Sequence, residues 1–157
     1  MKKFELIILF VFLSACDSAK IFEDNITLKN HTWDLENHPK FKAEIIDTLS
    51  EMNIIVNIRH TAHYPFSNLW LFVNTTNPQG VQSKDTLECI LAAKDGRWLG
   101  SGLGDIWDIQ IPLKTQSFSS SGEYVFELEQ AMRYGNKARI EHLPEIMNVG
   151  FRIEKKE

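Results

Sequence analysis

The sequence predicts an all-β protein: a single antiparallel β-sandwich, immunoglobulin-like or jelly-roll-like, of about seven to eight strands. Three observations predict it. Apolar residues recur with period two in several short runs, turn-forming residues separate those runs, and Val, Ile and aromatic side chains are frequent within them. Ten phenylalanines and four tryptophans supply the area that a sandwich core needs, since each large aromatic buries about 150–250 Å².

The chain opens with MKKFELIILFVFLSAC, in which Lys2 and Lys3 precede a run, Phe4 to Leu13, that is apolar apart from Glu5. This is the layout of a secretory signal peptide. It is much shorter than the roughly 20 apolar residues of a membrane-spanning helix. The closing Leu13-Ser14-Ala15-Cys16 resembles the bacterial lipobox, whose cysteine is acylated and becomes the first residue of the mature chain. An ordinary signal peptide with an incidental cysteine is the other reading. Residues 1–15 are therefore expected to be a lipoprotein signal peptide, and Cys16 the lipidation site that joins the chain to a lipid bilayer. More than one acyl chain, at ~0.8 kcal/mol per buried methylene, makes such an anchor stable. Residues 16–32 are polar and lack sustained periodicity, so they are expected to be a flexible tether reaching roughly 5–6 Å × √n from the membrane.

Residues 33–154 are expected to form the sandwich. Ile54, Val56 and Ile58 alternate with Ile55, Asn57 and Arg59. Trp70 and Phe72 alternate with Leu71 and Val73, as though both faces were covered. Leu87, Cys89 and Leu91 share one face. Tyr124, Phe126 and Leu128 alternate with Glu123, Glu127 and Glu129, and Val149, Phe151 and Ile153 with Gly150, Arg152 and Glu154. Each is the strand period. Phe41 to Asp47 and Ile106 to Leu113 are weaker strand candidates. Turns fall at Asn77-Pro78-Gln79-Gly80, Lys94-Asp95-Gly96-Arg97, the glycine-rich 100–104 stretch and Ser119-Ser120-Ser121-Gly122. One helical element is placed either at Leu128 to Arg139 or in the tether. Residues 155–157 read as a charged tail.

The formal net charge of the 157 residues is −4, and removal of Lys2, Lys3 and Glu5 makes it one unit more negative. An acidic chain without a basic stripe argues against nucleic acid as a partner, and against docking to anionic lipid by charge. Of two cysteines, a lipidated Cys16 leaves Cys89 alone. Cys89 lies among Leu87, Ile90 and Leu91 and is expected to be a buried small hydrophobe.

Little points to catalysis. His60 and His63 stand three apart after a strand, but a metal site needs at least one more ligand, and no metal site or other cofactor is expected. Gly100-Ser101-Gly102-Leu103-Gly104 departs from the phosphate-cradling spacing and is read as a flexible turn. There is no Gly-x-Ser-x-Gly elbow, and the acidic residues are explained by one solvated strand face. The expectation is no catalytic residue and no small-molecule substrate. The second reading is a carbohydrate-binding sandwich, with Trp98 and Trp107 flanking the glycine-rich loop. A sugar platform requires one of Trp70, Trp98 and Trp107 to lie open beside polar groups.

An ordered series of motifs then carries a resemblance. Arg59-His60, Tyr64-Pro65-Phe66-Ser67-Asn68-Leu69-Trp70-Leu71-Phe72, Asp85-Thr86-Leu87-Glu88, Gly96-Arg97-Trp98-Leu99-Gly100, Gly104-Asp105, Gly122-Glu123-Tyr124-Val125-Phe126, Met132-Arg133 and Val149-Gly150-Phe151-Arg152-Ile153-Glu154 resemble the gliding-motility lipoprotein GldH family of Bacteroidetes-type bacteria. The resemblance implies an envelope lipoprotein required for gliding, associated with the motility and type IX secretion apparatus, and without catalysis. It carries over no ligand or catalytic residues. It implies other envelope motility proteins as partners. In such bacteria Asp-Ser/Thr-apolar triplets resemble O-glycosylation sites, which makes Ser18, Thr48 and Thr86 candidates. The residues after Cys16 lack the acidic run that resembles a surface-export signal, so the expected location is the outer membrane, facing the periplasm. Asp17 also resembles an inner-membrane retention signal of enteric bacteria. The expected partner contact is the connection His60 to Asn68, with His60, His63, Tyr64, Phe66 and Asn68 as its contact residues, because its polar and aromatic content exceeds what a strand pair requires.

Overall fold

The computed structural model describes residues 19–136 and 138–157. These form eleven strands: β1 (Lys20–Thr27), β2 (Thr32–Asp34), β3 (Lys40–Ile45), β4 (Met52–Thr61), β5 (Asn68–Thr76), β6 (Gln82–Ile90), β7 (Ser101–Leu103), β8 (Ile106–Gln116), β9 (Gly122–Gln130), β10 (His142–Pro144) and β11 (Ile146–Lys155). One sheet has the order β1-β11-β4-β8-β7 and the other β3-β9-β5-β6, and β10 pairs β2 in a separate ribbon. All pairings between these strands are antiparallel. The expected all-β sandwich is present, with more and shorter strands than the sequence pattern resolves.

The period-two runs explain which face is covered. In β9, Tyr124, Phe126 and Leu128 are buried, and in β11 Val149, Phe151 and Ile153. The two sheets meet through these rings. Phe151 of β11 stacks on Phe126 of β9 at 4.3 Å and on Phe41 of β3 at 5.9 Å. Phe118 and Tyr124 extend the cluster at 4.8 Å. Ile54, Val56 and Ile58 of β4 join the same core, with Leu87 and Cys89 of β6. Burial pushes the Cys89 thiol up to about 12, so it is an unreactive core residue, as expected.

Three expectations are corrected. Most of the supposed tether is structured: β1 pairs β11 from Lys20↔Glu154 to Thr27↔Asn148, and β2 follows, with Trp33 fully buried. The sandwich therefore begins at Lys20 rather than at residue 33. The polar composition misled because β1 is a sheet edge, where most side chains face water while the backbone still completes a ladder. At the other terminus Lys155 belongs to β11 and the Lys156 amide donates to the Glu51 carbonyl at 3.0 Å, so the charged tail is partly held. The helical element shrinks to one 3-10 turn, Lys29–His31, inside the expected tether, and no α-helix occurs among the described residues. Leu128 to Gln130 end β9. The chain beyond folds back because the Gln130 carboxamide satisfies two backbone groups, donating to Ile140 O at 2.6 Å and accepting from Met132 N at 3.0 Å.

The turns follow their residues. At the β5–β6 hairpin, Asn77 Oδ1 accepts from the Gln79 and Val81 amides at 3.0 and 2.8 Å. Gly80 there has φ +80°, a conformation that costs glycine little. The 100–104 stretch is β7 and its turn into β8 rather than a flexible loop.

Because Phe151 joins both sheets through Phe126 and Phe41, Phe151→Ala is expected to destabilise the fold by about 3–5 kcal/mol. Urea denaturation of the soluble domain measures this. A loss below 1 kcal/mol (about a fivefold change in the folding constant) would show that the ring stack is not what joins the sheets.

Candidate functional site

On β5, Leu69, Leu71 and Val73 point into the core while Trp70 and Phe72 point outward. The both-faces-covered expectation for this strand is thus half right. The outward pair lines a concavity of about 540 Å³ with Phe66, Asn68, Met132, Arg133 and Tyr134. Trp70 is 39% and Tyr134 69% exposed. The segment after β9 is pinned against β5 by Ala131 N to Trp70 O at 2.8 Å and by a contact from Trp70 N to Met132 Sδ at 3.3 Å. Phe66 and Tyr134 meet edge to face at 5.7 Å. Asn68 Nδ2 donates to Glu88 Oε1 at 2.7 Å. Lys84 Nζ lies 3.8 Å from the centre of the Phe72 ring. Beside it, burial pushes the Glu129 carboxyl upward, but Arg139 at 2.9 Å and Lys84 at 3.4 Å hold it below its ordinary range.

The structure divides the expected contact residues. Phe66 and Asn68 line the groove. His60 and Tyr64 are buried, so they support the site and offer no surface. His63 is exposed, with its amide bonded to Thr61 Oγ1 at 3.1 Å. A chain of rings runs from the interior to water: His60 to Tyr64 at 5.8 Å, Tyr64 to Phe66 at 5.7 Å, and Phe66 to Tyr134. Tyr64 Oη donates to Asn68 O at 3.0 Å, closing the loop that presents Phe66. Tyr134 escaped the sequence reading because it has no strand period. Its only signal is a large aromatic beside a Gly-Asn turn.

Of the three tryptophans weighed as a platform, Trp98 packs edge-on against His60 at 4.6 Å. Trp107 lies against Gly102, where a Cβ would meet the indole at 2.7 Å. Trp70 alone of the three stands open beside polar groups. Thr48 lies in the β3–β4 loop, half-buried, and Thr86 is exposed on β6. Cys16 and Ser18 fall outside the described residues. Among the described residues no three of His, Cys, Asp and Glu come together as a metal set, and no helix is long and apolar enough to cross a membrane.

A second concavity, also about 540 Å³, crosses the outer face of the five-stranded sheet. Its charges are mutually satisfied, with Arg59 Nε to Asp108 at 2.7 Å and Arg152 to Glu23 at 3.1 Å. The site the fold defines is thus an aromatic groove on a β-sandwich, at the end where β5 begins and β9 ends.

The family described as GldH lipoprotein matches residues 20–153. The chain is 34% identical over 147 residues to a gliding motility lipoprotein GldH homolog of Christiangramia forsetii, covering 92% of this chain and 90% of that one. It is 32% identical over 148 residues to the gliding motility lipoprotein GldH of Flavobacterium johnsoniae, covering 94% and 92%. The chain belongs to the GldH lipoprotein family.

His60 gives a pH prediction. Its Nδ1–H donates to Thr61 O at 2.8 Å, and Nε2 has no hydrogen-bond partner. Burial holds the imidazole below its ordinary pKa, against smaller upward effects of that bond and of Asp108. The unfolded chain then takes the proton more readily. Stability is complete above the unfolded value of about 6.5 and falls as pH drops below it, until the depressed folded-state value is passed. Melting temperatures between pH 7.5 and 5.5, about one unit either side of that value, are expected to fall for the natural chain. They should fall less for His60→Gln. Equal falls would remove His60 as the cause.

Proposed function

We propose that this chain is a membrane-anchored, non-catalytic lipoprotein of gliding motility, a structural or assembly component of the envelope motility and type IX secretion apparatus. Acyl chains on Cys16 hold it to the outer membrane, facing the periplasm. The aromatic groove of Phe66, Trp70, Phe72 and Tyr134 takes a surface of another envelope motility protein. The family membership and the names of its relatives support the process. The observation that carries the contact is the groove itself. Trp, Tyr, Met and Arg are the residues that concentrate binding energy at protein interfaces, and here they surround one concavity. Confinement to a membrane plane raises the effective concentration for partners in the same layer, so a groove of this size suffices.

The second reading, a carbohydrate-binding module, is favoured by one observation: the open Trp70 ring stands beside Asn68 and Arg133. Retention on glycans abolished by Trp70→Ala would select it.

With the protein at its normal level, Trp70→Ala combined with Tyr134→Ala is expected to abolish or strongly reduce gliding and the protein's crosslinks to other motility components, while membrane fractionation stays unchanged. Normal gliding and crosslinking in that variant would end the contact reading. Cys16→Ser is expected to move the protein into the soluble fraction. Labelled palmitate absent from the natural protein would end the anchor reading.

A further inference from the structure

The end of the sandwich where β1 starts has a distinctive construction. The registers Lys20↔Glu154 and Lys155↔Met52 bring together the start of β1, the end of β11 and the start of β4. The β3–β4 loop, residues 46–51, sits at this end. Its shape is fixed by Asp47, whose Oδ1 accepts from the Leu49 and Ser50 amides at 3.0 Å each, and whose Oδ2 accepts from Ser50 Oγ at 2.7 Å. Lys155 Nζ reaches the same carboxylate at 2.8 Å. The Lys155 amide, in turn, donates to Ala19 O at 2.8 Å. The loop is thus tied to the residue three positions after Cys16.

On this braced loop Ile46 is 83% and Leu49 92% exposed. A single exposed aliphatic residue means little. Two on one fixed loop, aimed away from the core beside the strand that leads to the acylation position, are a different matter. The two lysines beside them are paired with carboxylates of the loop, Lys155 with Asp47 at 2.8 Å and Lys156 with Glu51 at 2.7 Å. With those lysines occupied, what projects furthest from the loop is the apolar pair Ile46 and Leu49. The four residue steps from Cys16 to Lys20 span at most about 14 Å, so an acylated Cys16 keeps this end within reach of the headgroups.

We propose that the β3–β4 loop seats Ile46 and Leu49 in the bilayer interface beside the acyl chains of Cys16, holding the sandwich in one orientation on the membrane. The occupant of this apolar tip is lipid. The inference rests on the anchor reading above. It turns the aromatic groove away from the membrane, because β5 starts and β9 ends at the opposite end of the sheets. Side chains so placed enter the headgroup–acyl boundary, about 5–10 Å deep.

The test uses the full lipidated protein in two kinds of vesicle, one of phosphatidylcholine alone and one also containing phosphatidylglycerol. Nitroxide labels are attached at Leu49→Cys or, at the far end, at Leu103→Cys, a site 89% exposed in the natural chain. The label at 49 is expected to be accessible to oxygen and shielded from a water-soluble nickel chelate, equally in both vesicles. The label at 103 is expected to show the reverse. A lipidated, vesicle-bound protein whose label at 49 is as open to nickel as that at 103 overturns this inference and leaves the anchor standing. Shielding that needs phosphatidylglycerol overturns it too, because the contact would then be ionic. A glycan found on Thr48, between the two inserting residues, also overturns it. Absence of acyl mass on Cys16 removes the anchor, and this proposal with it.

Discussion

The contact between Phe151 and the Phe126–Phe41 pair joins one sheet to the other, and the rest of the molecule is arranged around it. Sheets whose strands are antiparallel keep one face wet, so the dry faces must find each other. Here the meeting is made by stacked rings, 4.3 Å apart at the closest pair. With β11 fixed against β9, its neighbours β1 and β4 are placed on either side. Both ends of the sandwich inherit their geometry from that placement. The structure does this without a disulfide among the described residues, since Cys89 is free and buried.

The two ends are chemically unlike. At one, the start of β1, the end of β11 and the 46–51 loop are stitched by ion pairs and backbone bonds, with two aliphatic side chains projecting. At the other, a ladder of rings leads from buried His60 through Tyr64 and Phe66 to exposed Tyr134. The buried part of that ladder is structural. It fixes the loop that presents Phe66 and Asn68, and it does so with neutral groups: a His held uncharged by burial, and a Tyr hydroxyl pushed well above its ordinary pKa by the same cause. On the proposed assembly reading, a groove braced from behind would lose less entropy on binding a partner.

The shortened link between Cys16 and the fold changes the physical picture of anchoring. A tether of 16 residues would let the domain explore a volume above the membrane. On the proposed anchor, a strand that begins at Lys20 would hold the sandwich close to the bilayer with one end toward it, giving up reach for orientation. A groove at the far end is then presented to the periplasmic space on the proposed reading.

The sequence by itself determined what depends on local chemistry. Strand faces such as Tyr124-Phe126-Leu128 and Val149-Phe151-Ile153 were legible because burial of one face imposes period two. The turns were legible because Asn, Pro and Gly meet backbone requirements that few other residues meet. The fate of Cys89 was legible from its apolar neighbours. Tertiary structure decided what depends on partners far away in the chain. β1 is polar in sequence and becomes a strand only because the β11 edge, some 125 residues on, offers it a ladder. The chain after β9 folds back because the Gln130 carboxamide satisfies the Met132 amide and the Ile140 carbonyl. His60 and Tyr64 look like loop polarity in the sequence and are core residues in space. Tyr134 joins Phe66 and Trp70 only when the sheet brings the end of β9 to the start of β5. Periodicity reports on which side of an element is dry; which elements meet is settled by packing, and packing leaves no local trace.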